Sequence, residues 1–120
     1  MSNQPPPRVV QLDELAATPC PCGEARRAFA EQPGSVASLH LVKIRGEAEL
    51  HYHKRTTELY VVIEGTGTIE LDGVAMPVRP LSAVYIPPGC QHRLIGDFTI
   101  INVPVPAFDP QDEFVVRPGT

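Results

Sequence analysis

Proline recurs fourteen times in these 120 residues, against an ordinary share of about 5 %. Each proline removes a backbone donor and clashes with the preceding helical turn, so a helical bundle is disfavoured and short strands joined by turns fit better. From Ser35 onward the chain reads that way. Runs rich in valine, isoleucine and leucine are cut by turn residues at intervals of about eight to twelve positions, the pattern of an all-β sandwich or barrel. Strands are predicted over Val36 to Arg45, Leu50 to His53, Thr57 to Glu64, Thr66 to Leu71, Val74 to Val78, Ala83 to Ile86, Gln91 to Ile95 and Thr99 to Val103. Asp72-Gly73 is the tight turn of one hairpin. In Glu58-Leu59-Tyr60-Val61-Val62-Ile63 both alternate faces are largely apolar, which asks for cover on both sides from a second sheet, a partner subunit or the N-terminal arm.

Residues 1–34 read differently and are expected to form an arm packed on the barrel of 35–120, within one domain overall. Gln4-Pro5-Pro6-Pro7 is predicted to be extended. Val10 to Ala17 is compatible with one or two helical turns closed by Pro19, and Cys22 to Glu31 with a short helix or an irregular arm ended by Pro33-Gly34. At the other end, Phe108 to Glu113 reads as a loop without a chemical role, leading to a short edge strand at Phe114 to Val116.

Charge and apolar runs narrow the partners. Ten basic against fourteen acidic residues give a net charge of −4, with no basic cluster to neutralise a row of phosphates, so nucleic acid is not expected. No apolar run reaches the roughly 18 residues of a membrane span, and no membrane association is expected. The three cysteines, Cys20, Cys22 and Cys90, are odd in number, and no basic-then-apolar leader opens the sequence. A cytoplasmic protein with reduced thiols is the expectation. Cys20-Pro21-Cys22 is too tightly spaced for the usual zinc pair and lacks a second pair nearby, so these thiols are read as structural or incidental.

The residues that carry chemistry are His51, His53, Glu58 and His92. Two positions apart on one strand, His51 and His53 point to the same face of a sheet, as adjacent metal ligands must. Glu58 opens the next strand, beyond the Lys54-Arg55-Thr56 turn. His92 follows the Pro87-Pro88-Gly89 turn and is placed to enter from the opposite side. Three imidazoles and one carboxylate suit a single divalent transition metal (iron, manganese, nickel, zinc or copper) better than magnesium or calcium. On a six-coordinate ion they leave two positions open, as a reactive site requires and a closed structural zinc site does not.

These residues resemble the cupins, small β-barrels marked by two motifs. Gly46, His51, His53, Glu58 and Gly65 match the first, a glycine, a spacer, H-x-H, E and G; Pro87, Gly89 and His92 match P-x-G-x-x-H in the second. Three positions depart from the pattern: the spacer after Gly46 is one residue short, Leu81 replaces the glycine that opens the second motif, and Gly96 stands where an asparagine often closes it. None removes a ligand. The resemblance implies a jelly-roll-like cupin barrel, a metal held by His51, His53, Glu58 and His92, and a homodimer.

By strand parity His40 and Tyr60 are candidates for lining the cavity, and Cys90 shares the parity of His92, though ordinary packing is the plainer reading of all three. Lys54-Arg55 reads as a solvated turn. Two functions are open at this level. One is a metal-dependent enzyme on a small organic molecule, of dioxygenase, isomerase, lyase or decarboxylase type. The alternative is a non-catalytic module that binds or senses a small ligand.

Overall fold

The computed structural model describes residues 5–117; Gln4, the first residue of the expected proline arm, lies outside them. Eleven strands form among the described residues, with one short 3-10 turn at Leu12–Glu14 and another at Pro110–Asp112. They are β1 (Thr18–Cys20), β2 (Gly23–Ala28), β3 (Leu39–Ile44), β4 (His51–Tyr52), β5 (Thr57–Glu64), β6 (Gly67–Leu71), β7 (Val74–Val78), β8 (Ala83–Ile86), β9 (His92–Ile95), β10 (Phe98–Val105) and β11 (Phe114–Val115). A six-stranded sheet runs β1-β2-β3-β10-β5-β8, and a five-stranded sheet β11-β4-β9-β6-β7. All pairings are antiparallel.

Period-two alternation builds the core between these layers. On β3 it buries His40, Val42 and Ile44, on β5 Glu58, Tyr60 and Val62, and on β10 Phe98, Ile100 and Asn102. Ile69, Leu94 and Ile86 complete the apolar cluster, so one end of the interlayer space is hydrocarbon and the other end polar. Gly65, at φ 101°, ends β5 where a Cβ would collide with the Asp97 carbonyl oxygen. Only glycine lets these two loops approach so closely.

The strands from β3 to β11 fall on the predicted runs, but the segment before them does not. Cys22 to Glu31 was expected as a short helix or irregular arm, and Gly23–Ala28 is instead a strand of the main sheet. Its alternation is visible in hindsight: Ala25 and Arg27 face inward, opposite Val42 and His40, while Glu24 and Arg26 pair with Lys43 and Leu41 on the outer face. The alanines suggested a helix, and pairing with the free edge of β3 overrides that weak preference. The expectation of reduced thiols fails for Cys20 and Cys22 and holds for Cys90. The β1–β2 turn sets the Cα atoms of Cys20 and Cys22 5.1 Å apart and the two form a disulfide, a consequence of local turn geometry that counting cysteines does not detect.

Among the described residues, the outer face of β5 is only partly covered. Leu59, Val61 and Ile63 are 38 %, 37 % and 44 % exposed, while Tyr60 and Val62 face the second sheet. Among the described residues no helix is long and apolar enough to cross a membrane.

Candidate metal centre

The polar end of the interlayer space collects the residues singled out from the sequence. His51 on β4 lies directly opposite His92 on β9, and their rings stand 4.3 Å apart between centroids. Glu58 reaches them from β5 in the other sheet. The H-x-H strand and the P-x-G turn are tied together by the Gly89 N–H, which donates to the His53 carbonyl at 2.6 Å. His51, His53, Glu58 and His92 are all buried.

Hydrogen bonds to backbone carbonyls fix two of the tautomers. His51 Nδ1 lies 2.9 Å from the Glu49 carbonyl and His92 Nδ1 2.9 Å from the Cys90 carbonyl. A carbonyl only accepts, so each Nδ1 carries a proton, and in the neutral ring the Nε2 lone pair is left to face the cavity. Glu58 is oriented as firmly: the Asn102 amide Nδ2 donates to its Oε2 at 2.6 Å. Its other oxygen, Oε1, sits 2.9 Å from His92 Nε2 and 3.2 Å from His53 Nδ1. Yet Glu58 Oε1 and His92 Nε2 make no hydrogen bond of acceptable angle and are buried without a partner. Two lone pairs at that separation repel unless a proton or a cation lies between them.

His51 Nε2, Glu58 and His92 thus form a group whose ligand atoms all lie within 4.8 Å of one another, as a shared ion requires. His51, His53 and Glu113 form a second such group. His53 bridges the two, with Nδ1 toward Glu58 and Nε2 3.7 Å from Glu113 Oε2.

Charge is distributed unevenly. Burial would raise the Glu58 carboxyl, but the adjacent His53 and His92 imidazoles outweigh it and hold the group well below the usual carboxylate range. Burial, reinforced by the neighbouring His92, pushes His51 down to about 4. Burial acts on His53 in the same sense, but Glu113 and Glu58 overcome it and carry that imidazole up to about 10. Burial, helped by Arg27, also lowers His40 to about 4, leaving a neutral ring hydrogen-bonded through Nε2 to Ser38 Oγ at 2.9 Å.

His40 and Tyr60 line the cavity as parity predicts. Cys90 does not: its side chain packs into the hydrophobic core, and it serves the site only through the carbonyl that holds His92. Lys54 stacks over Phe114 and Arg55 pairs with Asp109, so both stay with the turn rather than entering the cavity.

Sequence reasoning missed Arg27, Asn102, Phe108, Asp109 and Glu113, all of which line the cavity. Arg27 was concealed by the helical reading of β2. Glu113 arrives because β11 pairs with β4, Val115 opposite His51, and a two-residue strand leaves no periodic signal to announce its partner. The cavity opens to solvent, its enclosed part has room for an ion or water, and Phe108, Asp109 and Glu113 are half-buried members of its lining.

Relatives have the same architecture. A crystal structure of a protein from Planctomyces limnophilus superposes with a TM-score of 0.84 at 44 % identity, over 90 % of this chain and 96 % of that one. The Streptomyces nucleoside dehydratase Pac13 gives 0.82 at 20 % identity, over 93 % and 92 % of the two chains. Ectoine synthase from P. lautus gives 0.74 at 21 %, over 94 % and 95 %. An uncharacterised protein of Methanocaldococcus jannaschii is 32 % identical over 65 residues, which is 54 % of this chain and 50 % of that protein; the match spans about half the length of that relative. The cupin-domain model matches residues 38–100, a stretch containing both histidine motifs and most of the two sheets, and the chain belongs to the cupin family.

Proposed function

We propose that the polar end of the barrel is a metal-dependent active site for a small organic molecule, with His51, His53, Glu58 and His92 holding one divalent transition ion. The observation that carries this reading is the pair of buried atoms Glu58 Oε1 and His92 Nε2, each without a hydrogen bond and 2.9 Å apart. Their orientation is fixed from behind by Asn102 and by the Cys90 carbonyl, the outer support that metal-binding side chains ordinarily have. A bound iron, manganese, nickel, zinc or copper ion supplies Lewis acidity, or a place for dioxygen, at coordination positions the protein leaves open. The chain's own part is to hold the substrate against that centre and shut out bulk water with the Phe108 to Glu113 tail. Tyr60, whose phenol burial and Glu58 keep protonated, and neutral His40 supply hydrogen-bonding groups on the wall. Dehydratase and synthase chemistry both occur on this fold in the relatives above, so the architecture accommodates an enzyme of this kind. The half-exposed outer face of β5 supports assembly as a homodimer.

Metal analysis of purified protein tests the site. Replacing His51 or His92 by alanine is expected to lower metal occupancy at least tenfold, while Lys54→Ala leaves it unchanged; equal occupancy in all three would defeat the assignment. With metal bound, substrate-library screens read by dioxygen uptake and by product NMR test catalysis. Recovery of a tightly held ligand, unchanged after prolonged incubation, would instead make the protein a binding module.

A further inference from the structure

Four inward-facing polar side chains cross the six-stranded sheet in one row. Arg27 on β2 lies opposite His40 on β3, His40 opposite Asn102 on β10, and Asn102 opposite Tyr60 on β5. All four line the cavity. Two of these partners are spoken for: His40 bonds Ser38, and the Asn102 amide nitrogen bonds Glu58. Two atoms are not. Arg27 Nε and Asn102 Oδ1 are buried without a hydrogen-bond partner.

Arg27 is a half-buried cation whose Nε is out of contact with solvent. Its guanidinium lies 4.2 Å above the Phe108 ring, and among the described residues it forms no ion pair or hydrogen bond. Glu113 offsets part of the burial cost electrostatically and the Phe108 ring adds a cation–π contact, yet the buried Nε–H still lacks an acceptor. Stacking does fix the planar fork, and a fixed guanidinium matches a carboxylate through two parallel hydrogen bonds. Across two strand spacings, about 10 Å along the sheet, Asn102 Oδ1 offers the complementary feature, an acceptor in need of a donor.

We infer that Arg27 and Asn102 recognise the substrate, and that it is a small hydroxycarboxylate: its carboxylate pairs with Arg27, and its hydroxyl donates to Asn102 Oδ1 beside the metal ligands. This rests on the small-molecule reading of the same cavity and adds the substrate's charge and polarity. The unpartnered donor and the unpartnered acceptor each gain a partner, which removes two buried desolvation penalties at once. Phe108 acts as a positioning residue by clamping the guanidinium.

Isothermal titration calorimetry on the zinc-loaded and the metal-free protein tests this with three probes: 3-hydroxypropionate, propionate and 3-hydroxypropionamide. Wild type is expected to bind the hydroxyacid at least tenfold tighter than the amide, and several-fold tighter than propionate. Arg27→Gln should abolish the acid-over-amide preference without changing zinc occupancy, whereas Arg27→Lys, which keeps the charge but not the fork, should retain part of it. Equal binding of acid and amide by wild type, or an undiminished preference in Arg27→Gln, would overturn the inference. Should Arg27→Gln fail to fold, judged by its thermal melt, the wild-type ratio and its reduction in Arg27→Lys decide the matter. Absence of zinc binding would count against the metal site alone, because the acid-over-amide ratio of the metal-free protein still reports on Arg27.

Discussion

Leu81 occupies a backbone conformation that suits glycine. Its φ is 73° and its side chain is 82 % exposed, at the position where the cupin motif opens with glycine. The fold has kept the turn and lost the residue that makes it easy. A left-handed conformation costs a leucine roughly 1–2 kcal/mol, and the exposed side chain returns little of that by burial. Glycine forfeits part of the gain through the greater freedom of the unfolded chain, about 0.5–1 kcal/mol. Leu81→Gly is therefore expected to stabilise the protein by roughly 0.5–1 kcal/mol, raising the melting temperature by a few degrees. A melt at or below that of wild type would refute the strain. Arg27 shows the opposite relation between residue and sequence pattern: it was present to be read, but its inward direction depends on which neighbour β2 pairs with.

Asp112 joins two elements that the sequence keeps far apart. It is buried, and its carboxylate accepts from the N–H groups of Lys54, Arg55 and Thr56 at 2.9, 3.0 and 3.2 Å, and from the Thr56 hydroxyl at 3.0 Å. Burial would raise its carboxyl, but these donors, led by the Arg55 and Lys54 N–H groups, outweigh that and lower it. The Lys54-Arg55-Thr56 turn separates His53 from Glu58, so a tail residue sets the spacing of two candidate ligands while its neighbour Glu113 faces His53. Asp112→Ala is expected to cost about 2–3 kcal/mol, the scale of lost hydrogen bonds to a buried charge. It should also weaken metal binding about tenfold, as removal of an outer support does. Denaturant melts and competitive metal titration measure the two effects. Loss of stability with metal affinity intact would limit Asp112 to a structural clasp, and no loss of either would show that the tail does not shape the turn.

At the scale of the whole molecule, the six-stranded sheet presents an apolar outer surface. Leu41, Ile101, Val61 and Ala83 lie in one cross-strand row, and Val103, Leu59 and Tyr85 in the next. Leu59, Val61, Ile63, Tyr85 and Val105 are all exposed. Covering the remaining two-fifths of a Leu, Val or Ile side chain is worth roughly 1 kcal/mol, and an apolar sheet face can pair with its own copy about a twofold axis. Light scattering at micromolar concentration is expected to give the dimer mass. Val61→Glu should raise the dissociation constant by about two orders of magnitude, near 3 kcal/mol, with its metal occupancy unchanged. A wild-type monomer at that concentration would refute the assembly.

Local pattern alone determined much of this protein. Proline content and short valine-rich runs pointed to a two-layer β fold, and β5, β7 and β8 begin and end where alternation places them. Period-two parity also predicted His51 and His53 on one face, and both are buried although β4 ends at Tyr52. Tertiary structure decided the rest. Whether Cys22 to Glu31 would be helix or strand depended on the open edge of β3, and Glu113 and Asp112 reached the site through pairings and hydrogen bonds that span more than fifty residues. Such contacts arise between segments whose own sequences carry no record of each other, so only the closed fold reveals Arg27, Asn102 and Glu113 in the wall around the histidines.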